Sequence, residues 1–311
     1  MGQVGVVVPT CRGYSIPEQT IDVSWYIVHD QEMRKIDNPS HADVNHIVAP
    51  YPEFYGSKNS SIRSAGVREA YLEGCDYILT VDDDCFIPLD WAERHVEQLS
   101  KSMPIHKNTM GEYARARGLP YGAVSSPVVV THGLWDGVPD LDGANQTVNG
   151  VKFVRHDDRF ERIEPLFPMS GMNLGFRRCM ARYMYWAPQG EGFGYDRFED
   201  IWMGLVAETV AKTLGFTMTS GGACVYHTRA SDSITNLTKE GPGYLMNEWL
   251  WRAMSESDIY FHPAMSPVES ILEHLLAFDI KDPCPDIDYI SLWLSNAIDF
   301  EKMEDDFDFA V

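Results

Sequence analysis

The sequence has no excess of basic charge. Its 311 residues contain 25 Lys and Arg against 46 Asp and Glu, which gives a formal net charge of −21 at pH 7. A nucleic-acid backbone or an anionic membrane is bound through a basic surface that releases counterions, so we expect neither as the main partner. Any phosphate that this chain binds must therefore meet a local cation.

Paired cysteines and long apolar runs are also missing. The six cysteines are scattered, none forms a Cys-x-x-Cys pair, and the spacing of a structural zinc site is absent. The longest apolar runs, such as Val4–Pro9, are far too short to span a membrane, and the first residues contain no basic stretch that leads into an apolar core. We therefore expect reduced thiols and a cytoplasmic protein that is not in a membrane.

The dinucleotide fingerprint Gly-x-Gly-x-x-Gly is absent as well. Residues 8–13, after the first apolar run, read Val-Pro-Thr-Cys-Arg-Gly, so a nicotinamide cofactor is not expected. The first hundred residues nevertheless alternate apolar runs with a helix-like stretch at Ser60–Glu73, which is typical of a parallel sheet with crossover helices. The predicted strands are Val4–Val8, Trp25–Val28, Asp43–Val48 and Tyr77–Val81.

Beyond residue 101 the pattern becomes mixed. A strand is predicted at Val124–Val130, and Leu166–Phe176 is an irregular segment of the kind that is usually functional. A helix, amphipathic and buried on one side, is predicted from Asp200 to Leu214. The last part of the chain reads as three helices and an acidic tail, namely Asn247–Glu256, Val268–Phe278, Ile287–Ile298 and Glu301–Asp308.

Three consecutive aspartates, Asp82, Asp83 and Asp84, directly follow the apolar run Tyr77–Val81. Open α/β sheets bind ligands at the carboxyl ends of their parallel strands, and paired carboxylates there suit a hard divalent cation that bridges phosphate oxygens. Sugar-nucleotide enzymes bind a cation in this way through an Asp-x-Asp motif. A solvated acidic turn or a helix N-cap is the alternative. We favour the metal site, because three aspartates at a strand end are otherwise hard to explain.

Three further features are weak when each is read alone. Glu199 and Asp200 stand where the long helix begins, and acidic residues there stabilise the helix dipole without any catalytic role. His227 follows an apolar run, and such a histidine is more often a hydrogen-bonded core residue than a ligand. Arg12 follows the first strand and fits an ordinary surface cation.

Together, these residues lie in segments that resemble the reversibly glycosylated polypeptide family, whose active members are UDP-arabinopyranose mutases. The segments keep their order and approximate spacing, and they are residues 80–86, 131–140, 166–174, 199–202 and 226–237. Residues 8–12 and 27–30 are similar to the family's opening strands. The resemblance covers roughly residues 4–240, whereas the last seventy residues match poorly.

The resemblance implies a GT-A type nucleotide-sugar fold. This is a Rossmann-like α/β fold with a mixed, mainly parallel sheet, flanking helices and a helical C-terminal extension. Residues 1–240 would form the nucleotide-sugar-binding catalytic domain, and residues 241–311 would form the extension with the acidic tail. The composition alone had left one large domain, or one domain with an appendage, equally open.

The resemblance also implies roles for single residues. Asp83 and Asp84 would hold Mn²⁺ or Mg²⁺ on the diphosphate, with His227 as a third ligand. Glu199 and Asp200 become candidates for contacting the sugar or acting as a base, while helix capping remains the alternative. The remaining residues assigned to nucleotide binding are Thr10, Arg12, Asp30, Arg63 and Asp82.

The family's self-glycosylated arginine lies in an Arg-Gly-Tyr-Pro-Phe motif shortly before a His-Gly-Leu-Trp segment. Residues 117–121 read Arg-Gly-Leu-Pro-Tyr, so Arg117 is the matching position, although Arg-Gly before Pro is also a common turn. A second arginine follows seven residues later in the family, where this chain has Val124 and Ser125. This departure makes the sugar specificity and the mutase step questions for experiment.

The implied function is a metal-dependent mutase that interconverts the pyranose and furanose forms of a UDP-pentose such as UDP-arabinose and that glycosylates itself. Two alternatives remain open. One is a UDP-sugar-dependent glycosyltransferase acting on a separate acceptor, and the other is a non-catalytic subunit that binds a nucleotide sugar. We further expect a homo-oligomer whose substrate is a UDP-sugar.

Overall fold

The computed structural model describes residues 2–11, 14–29, 44–49, 51–56, 58–104, 110, 116–119, 125–157, 159–164, 166–228, 232–255 and 259–302. The strands are β1 (Val4–Thr10), β2 (Ser24–His29), β3 (Val44–Val48), β4 (Tyr77–Val81), β5 (Cys85–Phe86), β6 (Ser102–Pro104), β7 (Ser125–His132), β8 (Trp135–Gly137), β9 (Phe160–Ile163), β10 (Asn173–Arg177), β11 (Thr217–Gly221) and β12 (Val225–His227). The helices are α1 (Pro52–Tyr55), α2 (Arg63–Leu72), α3 (Trp91–Leu99), α4 (Gly143–Asn149), α5 (Arg178–Ala181), α6 (Glu199–Thr213), α7 (Ser233–Glu240), α8 (Tyr244–Ser255), α9 (Pro267–Asp279) and α10 (Ile287–Lys302).

One large mixed sheet forms the centre of the fold. Among the described residues its strand order is β3-β2-β1-β4-β10-β7-β11-β9, and β6 pairs with β7. Strands β1, β2, β3, β4, β7 and β11 run in one direction, while β6, β9 and β10 run in the other. Three short strands form a second, small sheet of order β5-β12-β8, and β5 follows β4 directly along the chain. The mixed, mainly parallel α/β sheet with flanking helices is confirmed.

The strands predicted in the first hundred residues are present. Strand β4 has the predicted bounds, and every residue of β1 is buried, because helices and loops cover both faces of this part of the sheet. Asp43, the predicted start of the third strand, lies outside the described residues. So does Val124, the predicted start of the strand that the structure shows as β7.

Helix α2 packs closely on β1 and β2. A 3₁₀ turn at Ser60–Ile62 precedes it, and the Asn59 side chain caps this turn by accepting from the Ser61 backbone N–H at 2.9 Å. A Cβ on Gly66 would lie 2.5 Å from Val28 and 2.6 Å from Val7, so only glycine permits this approach. The turn and the close packing place the first residue of α2 at the carboxyl end of the sheet.

The prediction that the helix near residue 200 is buried on one side only is wrong. Helix α6 is buried at every residue from Trp202 to Ala211, including Glu208. The reason is tertiary, since α6 contacts β11 on one side and the C-terminal helices α8 and α9 elsewhere. A polar residue on this helix therefore does not mark a solvent-facing side.

The C-terminal helices α8, α9 and α10 match the three predicted helices to within a few residues at each end. Helix α9 begins with a capping box, in which Ser266 and Glu269 accept from each other's backbone N–H groups. Apolar residues of all three helices belong to the same buried cluster as the helix-covered face of the sheet. The domain boundary at residue 240 stays a prediction.

Two expectations from composition can be compared with the structure. All six cysteines are free thiols. Within the part of the chain that the structure describes, every helix is too short or too polar to cross a bilayer.

Candidate active site

Strands β1 and β4 end side by side, and their last residues bring two predicted site residues together. β1 pairs with β4 in parallel, so Thr10 at the end of β1 lies near the aspartates that follow Val81. The Thr10 hydroxyl donates to Asp83 Oδ2 at 2.7 Å. The backbone then turns into β5, as the Cys85 N–H donates to the Asp82 carbonyl at 3.2 Å. The acidic run thus lies at the ligand-binding end of the sheet.

A buried arginine lies beside this acidic run. Arg63 is 1% exposed, its Nη2 forms an ion pair with Asp82 Oδ1, and its guanidinium lies 5.4 Å from the centroid of the Trp186 ring. Gly171 makes room for it, since a Cβ there would be 2.0 Å from Arg63 Nη1. Arg63 is thus a fixed positive charge at a strand end that otherwise carries three carboxylates.

Asp84 faces His227 across the small sheet. β12 pairs with β5, and His227 Nε2 lies 3.9 Å from Asp84 Oδ1. His227 Nδ1 lies 3.0 Å from the Val138 carbonyl oxygen, an acceptor only, so we infer that Nδ1 carries the proton and that the Nε2 lone pair points towards Asp84. A backbone carbonyl that fixes the second ring nitrogen is typical of metal-binding histidines. This donor set fits a divalent cation.

Glu199 and Asp200 are held in enclosed surroundings at the start of α6. Glu199 accepts from the Ser60 hydroxyl, and Asp200 Oδ2 accepts from the Gly171 backbone N–H at 2.7 Å. Burial, followed by repulsion from Asp200, raises the pKa of Glu199 to about 7. Burial also raises the pKa of Asp200, to about 6, although the Gly171 hydrogen bond opposes the shift. The pair therefore titrates near neutral pH and can take up or release a proton there.

Helix capping does not account for this pair. The residue that precedes α6, Phe198, makes no side-chain capping bond. Asp200 Oδ1 accepts from its neighbour Ile201 at 2.8 Å, which is a local turn contact. Glu199 Oε2 is buried and has no hydrogen-bond partner among the described residues. A carboxylate stabilises the helix dipole only while it is ionised, and burial disfavours the ionised form of Glu199, so its enclosed position and unpaired oxygen point to a role other than capping.

These residues line one continuous cleft. A cleft of about 530 Å³ contains Arg63, Asp82, Asp84, Glu199, Asp200 and His227. An adjoining cleft of about 390 Å³ contains Thr10 and Asp83. The two share Cys11, Ser60, Asp82 and Asp84. Most of the site residues predicted from the sequence thus lie together.

Three predicted residues are not placed in the cleft. Arg12 and Asp30 lie outside the described residues. Arg117 lies in an exposed turn and is not among the described residues that line either part of the cleft. Its role stays a prediction.

Sequence reasoning missed two charged residues of the cleft, Asp140 and Arg197. Arg197 Nε donates to the buried Glu240 Oε1 at 2.8 Å, and Arg197 Nη2 lies 4.0 Å from Asp140 Oδ1. Asp140 ends a segment that resembles the family, so this signal could have identified it. No local pattern connects Arg197 to Glu240, because 43 residues separate them.

The segment Leu166–Phe176 is predicted to be irregular and functional, and the structure corrects the first part, because its last residues form the central strand β10. The residues before β10 are held by side-chain acceptors. The backbone N–H of Phe167 donates to Glu208 Oε2 at 2.9 Å, and that of Ser170 donates to His132 Nε2 at 3.2 Å. Burial raises the pKa of Glu208 to about 9 and lowers that of His132 to about 4, so both are neutral at pH 7. With the Gly171 bond to Asp200, three hydrogen bonds, one of them fully buried, fix the segment against the cleft.

The fold is a mixed, mainly parallel α/β sheet whose first strand and acidic fourth strand end at one cleft, as expected for the GT-A type that the resemblance implies. Comparison with known proteins gives the family. The model of the reversibly glycosylated polypeptide family matches residues 32–251, and the chain belongs to this family.

Curated relatives carry the name of one activity. "Probable UDP-arabinopyranose mutase 1" of Pisum sativum is 33% identical over 224 residues, which are 66% of this chain and 61% of the pea protein. "UDP-arabinopyranose mutase 3" of Arabidopsis thaliana is 30% identical over 280 residues, 79% of this chain and 76% of that protein. The match thus spans about three fifths of the pea relative and about three quarters of this Arabidopsis one.

Among solved structures, glucosyl-3-phosphoglycerate synthase from Mycobacterium tuberculosis, in complex with Mn²⁺, UDP and phosphoglyceric acid, is similar to this chain. The TM-score is 0.41 and the sequence identity is 11%, with 81% of this chain and 78% of that chain covered. A similarity this distant carries no argument about ligands.

Proposed function

We propose that this chain is a metal-dependent nucleotide-sugar mutase that interconverts UDP-arabinopyranose and UDP-arabinofuranose. The observation that carries the proposal is the presence, in one cleft, of a candidate cation site at Asp84 and His227 and of a carboxylate pair, Glu199 and Asp200, that titrates near neutral pH. Membership of the family and the names of the pea and Arabidopsis relatives support this choice of substrate.

The reaction makes two chemical demands. The anomeric C–O bond to the diphosphate must break and re-form, and the sugar ring must open and close through a different hydroxyl group. Negative charge develops on UDP as it leaves, and preorganised positive charge lowers that barrier. One hydroxyl must lose its proton as the ring closes, and the other must regain one, which calls for a group whose pKa lies near the working pH.

Positive charge at the carboxyl ends of β1 and β4 would neutralise the diphosphate. When bound at Asp84 and His227, with Asp83 beside them, Mn²⁺ or Mg²⁺ would neutralise part of this charge. Among the described residues no three His, Cys, Asp or Glu side chains are arranged as a complete metal site, so phosphate oxygens of the substrate would complete the coordination. Arg63 adds a fixed cation beside Asp82, and Thr10 would lie along the nucleotide.

Proton transfer falls to Glu199 and Asp200. The ionised member of the pair accepts the proton of the hydroxyl that closes the new ring, and the same carboxyl returns it to the hydroxyl released from the old ring. Hydrogen bonds from Ser60 and from the Gly171 N–H keep the two carboxyl groups in place. Arg12 and Asp30 remain proposed nucleotide contacts.

Covalent retention of the sugar at Arg117 is a further part of the proposal. A guanidinium holds its proton at neutral pH, so it becomes a nucleophile only when a carboxylate accepts that proton; the new N–C1 bond would form as the C1–O bond to the diphosphate breaks and UDP leaves. The proposal also includes a cytoplasmic location, which the free thiols suit, and a homo-oligomer.

The test is to incubate the protein with UDP-arabinopyranose and Mn²⁺ and to separate the products by chromatography. We expect a UDP-arabinofuranose peak that disappears with a chelator and in Glu199→Gln. Release of free UDP with the sugar transferred to an added acceptor, without furanose, would instead make this a glycosyltransferase. Tight UDP-sugar binding without any turnover would make it a non-catalytic subunit.

A further inference from the structure

Arg197 is held by a buried acid and leaves its terminal nitrogens facing the cleft. Its Nε donates to Glu240 Oε1 at 2.8 Å. The other oxygen of Glu240 accepts from the Gly143 backbone N–H at 2.7 Å and from the Tyr244 hydroxyl at 2.8 Å. Glu240 is therefore fixed from three directions, and it fixes the guanidinium in turn through a single nitrogen. The remaining donors of Arg197 are available to a ligand in the cleft.

The backbone at Arg197 is unusual. Its φ is +70°, in the left-handed region that favours glycine and costs other residues free energy. Strained residues of this kind occur where the surrounding structure requires a particular side-chain direction. Here the conformation directs a long cationic side chain between Glu240 and Asp140.

The position of Arg197 along the cleft indicates which part of a ligand it meets. The part of the cleft that contains Thr10 and Asp83 lies at the end of β1, where the nucleoside is proposed to bind. Asp82 and Asp84 lie in the shared middle, beside the proposed diphosphate site. Arg197 lines only the other part of the cleft among the described residues, together with Glu199 and Asp200. This is the end that the sugar would occupy.

The spacing between Arg197 and Asp140 fits a hydroxyl group. Arg197 Nη2 and Asp140 Oδ1 are 4.0 Å apart, too far for a direct hydrogen bond. A hydroxyl can accept from the guanidinium and donate to the carboxylate at the same time, and two bonds of about 2.8 Å span this gap. An ionised phosphate oxygen fits this gap less well, because it has no proton to donate and would face the Asp140 carboxylate charge against charge. The geometry points to Arg197, positioned by Glu240 and paired with Asp140, as a residue that recognises a hydroxyl of the sugar.

This inference rests on the proposed function, and binding measurements separate the two. Calorimetry would compare UDP-arabinopyranose with UDP, both with Mn²⁺, on the wild type and on Arg197→Gln. We expect the variant to lose tenfold or more in affinity for the sugar nucleotide and less than twofold for UDP, because only the former carries the hydroxyl. UDP-arabinopyranose analogues that each lack one hydroxyl would sharpen the test. One of them should bind wild type weakly, yet bind Arg197→Gln as well as the parent sugar nucleotide does.

Arg197→Gln leaves Glu240 buried without its cation, so a second variant guards against a folding defect. Arg197→Gln with Glu240→Gln removes both charges and keeps the acceptor for Gly143, and it should show the same selective loss. Arg162→Gln is a matched control, since the Arg162 side chain is 31% exposed against 29% for Arg197 and also pairs with a glutamate, but it lies outside the cleft. It should bind both ligands as wild type does.

Four results would overturn the inference. An equal loss for UDP and for the sugar nucleotide would mean that Arg197 contacts the nucleotide, and no loss for either would leave it a purely structural ion pair. If the wild type bound UDP but showed no gain from the sugar, the sugar-end assignment would fail while nucleotide binding stood. Wild type that bound neither ligand would refute the proposed function, and this inference with it.

Discussion

The cleft contains two acidic clusters that have the same chemical groups in different surroundings. The aspartates after β4 are partly exposed, and each lies beside a polar or cationic side chain. Arg63 forms an ion pair with Asp82, the Thr10 hydroxyl donates to Asp83, and His227 lies near Asp84. The carboxyl groups at the start of α6 are enclosed, and Glu199 keeps an unpaired oxygen. Burial raises the pKa values of Glu199 and Asp200 to about 7 and about 6.

The difference shows how one residue type can serve two chemical roles within one cleft. Partly exposed carboxylates at a strand end, beside hydrogen-bond donors, suit a divalent cation. Carboxyl groups that burial drives towards neutrality exchange protons near pH 7. Four changes, taken from the largest expected effect to the smallest, test whether this division holds.

Asp84→Asn should remove most of the cation binding that we assign to the aspartates after β4. Replacing an anionic ligand by a neutral amide weakens a divalent site sharply, so we expect the Mn²⁺-dependent affinity for UDP to fall by about a hundredfold or more. The free energy of unfolding should change by only about 0.5 kcal/mol, as for other partly exposed substitutions. Calorimetry with and without Mn²⁺ measures the first effect and urea unfolding the second. Asp90→Asn, at an exposed aspartate six residues further along the chain, is the control. If both variants depended on Mn²⁺ equally, Asp84 would not be a metal ligand.

Glu199→Gln should flatten the pH dependence of stability. The pKa of Glu199 is about 7 in the folded protein against an ordinary 4.5, so between these pH values the folded state binds more protons than the unfolded state. The free energy of unfolding of the wild type therefore falls as pH rises from about 4.5 to about 7, whereas a neutral glutamine contributes no such fall. Relative to wild type, the variant should gain about 1–3 kcal/mol between pH 5 and pH 8.

Urea unfolding at the two pH values provides this measurement. Glu161→Gln, at an exposed position of β9, is the matched control and should follow the wild type. A parallel pH dependence in wild type and Glu199→Gln would show that Glu199 is already ionised at low pH in the folded state, which would contradict the difference between the two clusters.

Glu208 tests whether a buried carboxyl group can serve as a neutral hydrogen-bond acceptor for the segment beside the cleft. Glu208→Gln keeps an acceptor for the Phe167 N–H and should cost less than about 1 kcal/mol, because Glu208 is already uncharged at pH 7. Glu208→Leu leaves that N–H buried without its partner and should cost about 1–3 kcal/mol. Chemical denaturation at pH 7 distinguishes them. Equal losses in both variants would show that the negative charge of Glu208, rather than its acceptor oxygen, matters.

Arg117→Lys should have the smallest effect on stability and a qualitative effect on labelling. The residue is exposed, so the free energy of unfolding should change by less than about 0.5 kcal/mol. If sugar is held there, radiolabel from a UDP-sugar should remain with the denatured wild type, be displaced by excess UDP and be absent in the variant. Mass spectrometry of the tryptic peptide that contains Arg117 locates the label. Label on a carboxyl of the α6 pair would contradict the assignment and give that pair a nucleophilic role.

Much of the framework could be predicted because its signals are local. The run Tyr77–Val81 is rich in β-branched and aromatic residues, and β4 has these bounds. The position of three aspartates directly after it follows from the sequence alone. The start of α6 near Glu199 was also predictable, because the periodic apolar residues begin there. The family resemblance in residues 4–240 then connected separate segments that no local pattern connects.

The sequence by itself determined the first four strands, β7, the helices α2, α6, α8, α9 and α10, the acidic strand end and the family, since these depend on neighbouring residues or on ordered motifs. Helices α3, α4 and α7 and the strands after β7 were not predicted. Only the tertiary structure decided that Arg63 is buried against Asp82, that Asp84 faces His227, and that Glu240 holds Arg197. It also decided that α6 is covered on both sides, which the helical period misjudged. The physical reason is that the strand order of the sheet brings together side chains that are distant in the sequence and buries some of them. Burial in turn fixes which carboxyl groups hold a proton at neutral pH.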